Sequence, residues 1–211
     1  MQVGRIARIV FGLNALVVAV GIVVQLFVTA DLETGFFDTS LKRTLNVLCY
    51  FTIQSNILVG IGTGMLALGR ARPTTWFRAL RLTGLVGIAL TFIVFHAVLR
   101  DLQDLTGNAA LADFLLHTVS PILCVGGWLW FGPRRQTTAT VVYWSLGFLI
   151  AWGVFTLVRG EIIGFYPYPF MDPIDSGYAR VVVNLAIVAA IFVGMAAGAH
   201  LLDRRLPEHD D

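Results

Sequence analysis

Six stretches of this chain run for roughly the ~20 residues that a helix needs to cross a hydrocarbon core, with almost no charge inside them. No other feature limits the fold so tightly. The stretches lie at about 9–30, 44–68, 82–99, 110–131, 139–158 and 181–202, and the one carboxylate inside them, Asp113, sits near an end. Lipid offers the backbone no water to bond, so runs of this kind are expected as helices, whose hydrogen bonds close within the segment. A closed barrel would show short segments of alternating polarity, and the sequence has none. Hydrophobic residues make up 57% of the chain and charged ones 13%, against about 25% charged in an ordinary soluble domain. The expected fold is all-α: a polytopic membrane protein in which residues 1–211 form a single six-transmembrane-helix bundle.

Arg5 and Arg8 before an apolar run resemble the start of a signal peptide, but the run is longer than the usual apolar core of one, so a membrane helix is expected there. Cys49 and Cys124 both fall in apolar runs and read as small buried hydrophobes rather than as a disulfide. The net charge of +2 is too small for a nucleic-acid footprint. The positions of the charges matter more. Arg5, Arg8, Arg70, Arg72, Arg78, Arg81, Arg134, Arg135, Arg204 and Arg205 share one side of the six spans. The other side holds Lys42, Arg43, Arg100, Arg159 and Arg180 among most of the carboxylates. Positive residues favour the cytoplasm, which puts both termini there.

Polar residues inside a membrane are functional suspects. The second span contains Thr52-Ile53-Gln54-Ser55-Asn56, in which Thr52 and Asn56 share a face, flanked by Ser55 and Cys49. The third span carries His96, one turn before Arg100. The fourth carries Asp113 and His117, four residues apart and so able to touch. At a 1.5 Å rise per residue, Thr52, His117 and His96 lie about 12, 10 and 5 Å below the outer surface. Thr or Ser in a membrane helix often bonds only to a neighbouring helix, and Arg159 and Arg180 can be simple interface anchors. Three helices bringing polar groups to one half of the bilayer favours a site.

The residue types suit acyl transfer. A hydroxyl becomes a nucleophile when a base takes its proton, and a carboxylate behind a histidine fixes the useful tautomer. Thr52, His117 and Asp113 can fill these roles, with Asn56 or Ser55 donating to an oxyanion. A substrate reaching such a depth would be a lipid.

Three stretches resemble the androgen-induced membrane-protein family in its bacterial six-span branch. They are Phe51-Thr52-Ile53-Gln54-Ser55-Asn56; His117 with Thr118 and Pro121; and Gly164-Phe165-Tyr166-Pro167-Tyr168-Pro169-Phe170-Met171-Asp172 leading to Gly177, Ala179 and Arg180. Animal members of that family are atypical threonine hydrolases of fatty acid esters of hydroxy fatty acids. The resemblance implies Thr52 as nucleophile, His117 as base, a fatty-acyl ester as substrate, no cofactor, and a place in a bacterial inner membrane. His96 matches a histidine common in the bacterial branch, for which the resemblance supplies no role. A substrate carboxylate is expected to meet Arg180, helped by Arg100 or Arg159.

Two other classes use the same residues. His96 and His117 could ligate one haem in a small electron carrier. The same pocket could also hold a lipid-like ligand in a transporter or receptor without chemistry. A metal hydrolase is disfavoured, because no recognisable zinc spacing occurs.

Overall fold

The computed structural model describes residues 3–33, 35–102 and 104–207; His209, to which the sequence assigns no role, lies outside them. The chain is 81% helix, with no strand among the described residues. The helices are α1 (Arg5–Ala30), α2 (Ser40–Val47), α3 (Phe51–Ala67), α4 (Thr75–Val94), α5 (Gly107–Phe114), α6 (Ser120–Phe131), α7 (Ala139–Ile163), α8 (Pro173–Ser176) and α9 (Tyr178–Arg205). Among the described residues, five continuous helical stretches are long and apolar enough to cross a membrane: Arg5–Ala30, Thr75–Leu102, Gly107–Phe131, Ala139–Ile163 and Tyr178–Arg205. A sixth arises if α2 and α3, bent by 63°, count as one broken span. These helices are consistent with a multi-pass membrane protein.

The outer surface supports that reading. Ile6, Ile9, Leu13, Leu16, Val20, Val23 and Phe27 form an exposed stripe along α1, at alternating steps of three and four. In water such a stripe would be a large unsatisfied apolar patch; in lipid it is solvated. The centre of the bundle is α4, with 56% of its apolar window buried, whereas no other continuous span exceeds 28%. It packs on α3, α6, α7 and α9, while α1 covers α3, α5 and α6. Small residues allow the close approach. At Gly87 an added Cβ would lie 2.7 Å from Ser55 Oγ, so α3 and α4 meet there only because the side chain is missing.

The sequence reads 44–68 as one continuous span. The chain instead breaks at 48–50, and Cys49 lies in the break rather than on the flank of the Thr52 face. A break frees backbone carbonyls, which must find partners where water is scarce. Gln54 Nε2 donates to the Leu48 carbonyl at 3.1 Å, and Trp152 Nε1 of α7 donates to the Cys49 carbonyl at 3.0 Å. The break is therefore a satisfied structure.

At the opposite end, arginines close helix C-termini. Arg8 Nε donates to the Ala67 carbonyl at 2.8 Å and Arg81 Nη2 to the Gly132 carbonyl at 3.1 Å. Arg134 is buried and donates to the carbonyls of Trp128 and Leu129. Burial pulls its guanidinium below the usual value, and the nearby Asp203 charge partly offsets this. Asp203, 1% exposed, accepts from the Gln136 and Thr137 backbone N–H groups and from the Thr137 hydroxyl, tying α9 to the 132–138 turn.

Candidate functional site

Thr52 is the second residue of α3 and is buried. The break before it leaves the first N–H groups of α3 without intrahelical acceptors. The Thr52 N–H donates to the Tyr168 phenol oxygen at 3.4 Å, and the two hydroxyls lie 3.5 Å apart. One turn on, Asn56 Nδ2 donates to the Thr52 carbonyl at 2.9 Å and to the Leu116 carbonyl at 3.1 Å. The Asn56 amide thus ties the turn carrying Thr52 to the residue before His117. Ser55 is wholly buried, with its hydroxyl against Gly87 and without a hydrogen bond among the described residues.

His117 sits in a π-turn, Leu115–Val119, between α5 and α6. Pro121 follows within the next turn of α6 and lacks the N–H that a regular helix would use there. Such wide turns recur at functional sites. His117 Nδ1 lies 2.9 Å from Asp113 Oδ1 and 3.2 Å from the Asp113 carbonyl. With two acceptors at Nδ1, the neutral ring carries its proton there and leaves the Nε2 lone pair free. The ring lies flat on Phe95, with centroids 4.1 Å apart and planes 15° apart. His96 occupies a second π-turn, Phe95–Leu99, and stacks on Phe92. Its Nε2 lies 3.4 Å from the Thr118 hydroxyl, and its buried Nδ1 makes no hydrogen bond among the described residues.

A narrow apolar cleft of ≈ 40 Å³ opens beside Thr52. Its walls include Thr91, Phe95, Leu99, Trp152, Tyr168 and Leu185. Thr52 and Tyr168 supply polar groups to it, and Phe95 connects it to the His117 ring. Among the described residues no direct hydrogen bond joins Thr52 to His117; their turns are neighbours through Asn56.

The three arginines of the sequence reading have different surroundings. Arg159 Nη2 donates to Asn46 Oδ1 at 2.8 Å, and its guanidinium faces the Phe37 ring at 5.9 Å. Arg100 and Arg180 are exposed, and neither makes a side-chain hydrogen bond or ion pair among the described residues. Arg100 follows Leu99, a wall of the cleft, and Arg180 precedes another, Leu185, by little more than one turn. Among the described residues no three His, Cys, Asp or Glu side chains converge to hold a metal.

Sequence reasoning missed Tyr168 and Thr91 as site residues. The tyrosine-proline stretch was the available signal for the first, but its contact spans 116 positions. Nothing marked Thr91 apart from other membrane threonines. Comparison with protein-family models, with curated proteins and with solved structures found no match.

Proposed function

We propose that this chain is an intramembrane lipid-ester hydrolase of the androgen-induced membrane-protein type, with Thr52 as nucleophile and His117 as base. The observation that carries this reading is the Asn56 amide, bonded both to the Thr52 carbonyl and to the carbonyl of the residue before His117. It supports a nucleophile and a base on adjacent turns. The Asp113 contact at Nδ1 supports a His117 tautomer that can accept a proton at Nε2. Thr52 and His117 make no direct hydrogen bond among the described residues, so transfer from Thr52 then requires the two side chains to close up or a bridging water to enter.

In this proposal the bundle crosses a bacterial inner membrane six times, with α2 and α3 as one broken span and both termini in the cytoplasm. The arginine-rich end at Arg134 is the cytoplasmic one, consistent with the positive-inside preference. The cleft then opens in the outer half of the bilayer. It takes a fatty-acyl ester of a hydroxy fatty acid, whose free carboxylate stays near water and pairs with Arg180 and Arg100. Arg159, committed to Asn46, stabilises the α2–α3 break instead.

The test is hydrolysis of such an ester by purified protein in detergent, comparing wild type with Thr52→Ala. The proposal requires turnover by wild type and its loss in the variant. Equal turnover by both would refute it.

A further inference from the structure

The Tyr168 phenol meets the Thr52 hydroxyl from a loop, 164–177, that the proposed chemistry has not yet used. The ring is 8% exposed and fixed from several sides. It stacks on Phe170 at 5.4 Å and meets Tyr50 and Trp152 edge-on at 5.8 and 6.0 Å. The segment is fastened by Asn184 Nδ2, which donates to the Phe170 carbonyl at 2.9 Å, and by the wholly buried Met171. The phenol oxygen rests 3.4 Å from the Thr52 nitrogen, where α3 has an N–H with no acceptor of its own. Burial pushes the phenol up to about 12, so it keeps its proton and remains a donor. Thr91, 5% exposed, lines the same cleft with a hydroxyl that makes no hydrogen bond among the described residues. The Thr52 N–H and the Tyr168 phenol are two donors beside a buried threonine, and an oxygen-bearing ligand that displaces the phenol oxygen from that N–H would meet both, with the uncommitted Thr91 hydroxyl in the same apolar cleft.

We propose that Tyr168 is a catalytic residue, its phenolic O–H and the Thr52 N–H together forming the oxyanion site, with Thr91 donating a further hydrogen bond to the ester. This inference rests on the hydrolase reading above. The Thr52 oxygen bonds to the acyl carbon while its proton passes to His117 Nε2. The carbonyl π electrons move onto oxygen, which takes the place of the phenol oxygen at the Thr52 N–H and receives the hydrogen bond of Tyr168. Collapse breaks the acyl–alkoxy bond, and the leaving alkoxide takes the proton from His117. Water, deprotonated by His117, then bonds to the acyl carbon; collapse breaks the Thr52 O–acyl bond, the acid leaves, and His117 returns the proton to the Thr52 oxygen.

The test uses full-length protein in detergent and a long-chain 4-nitrophenyl ester. Wild type, Tyr168→Phe, Thr91→Val and Thr52→Ala are compared for kcat and KM. Loss of one oxyanion donor costs about 10²–10³-fold in kcat. Tyr168→Phe should show that loss with little change in KM, and Thr91→Val a smaller one. Wild-type kcat in Tyr168→Phe beside an inactive Thr52→Ala overturns the role of Tyr168 alone, as does a change confined to KM. Wild-type turnover in Thr52→Ala, or none in the wild type, overturns the hydrolase reading and this inference with it. If Tyr168→Phe does not fold, 3,5-difluorotyrosine at 168 keeps the ring and changes its donor strength. An unchanged kcat and pH profile in that protein overturns the proposal.

Discussion

The Asp113 carboxylate lies 2.9 Å from His117 Nδ1, and the imidazole it holds is stacked on Phe95. One face of the ring and one nitrogen are thereby occupied, and Nε2 is left for chemistry. If His117 is the base, His117→Ala should lower kcat for a fatty-acyl ester by about 10²–10⁴-fold, the usual span for general-base catalysis. Asp113→Asn keeps the shape of the contact but weakens the tautomer preference. It should leave more activity than His117→Ala and less than wild type. Steady-state kinetics on the three proteins checks this order, and an unchanged rate in His117→Ala would contradict the assignment.

Arg180, on the helix that carries the cleft residue Leu185, makes no side-chain hydrogen bond or ion pair among the described residues, while Arg159 is held by Asn46. Arg180→Ala should therefore raise the KM for a free-acid substrate and leave its methyl ester nearly unaffected. Arg159→Ala should not discriminate between the two. Equal losses on acid and methyl ester in Arg180→Ala would show that this residue does not read the carboxylate.

Ser55 and Gly87 share one small space in the α3–α4 interface. Gly87→Ala forces a Cβ to 2.7 Å from Ser55 Oγ, and overpacking of this kind costs about 1–3 kcal/mol. The Ser55 hydroxyl has no hydrogen bond to lose, so Ser55→Ala should cost little by itself and should recover most of the loss in the double variant. Thermal unfolding of the four proteins in detergent reads the coupling. A double variant as unstable as Gly87→Ala would place the clash elsewhere.

The proposed topology makes Arg72 cytoplasmic and Asp172 external. Single cysteines at these positions, in a chain with Cys49 and Cys124 replaced, should react differently in intact cells. An impermeant maleimide should label position 172 and spare position 72. The reverse pattern would invert the bundle.

What the sequence discloses follows the range of the interactions concerned. The continuous spans are legible because lipid demands long apolar runs, and each run declares itself locally. The Asp113–His117 contact is legible for the same reason, since helix geometry brings positions four apart together. The break at 48–50 is not, because its stability depends on Trp152, about a hundred residues away, bonding the Cys49 carbonyl. Helical spacing puts Ser55 beside Thr52, but only the position of Gly87 on another helix decides that its hydroxyl turns into the α3–α4 contact. Tyr168 is hardest to foresee, because a loop side chain reaches Thr52 only after four spans and their packing are in place.

The most direct test of the central claim is to locate the covalent bond. Purified protein is treated with a fluorophosphonate, digested, and the adduct mapped by mass spectrometry, with Thr52→Ala alongside. The hydrolase reading predicts one phosphonylated residue, Thr52, and no adduct in the variant. An adduct on another residue, or labelling that survives in Thr52→Ala, would contradict it.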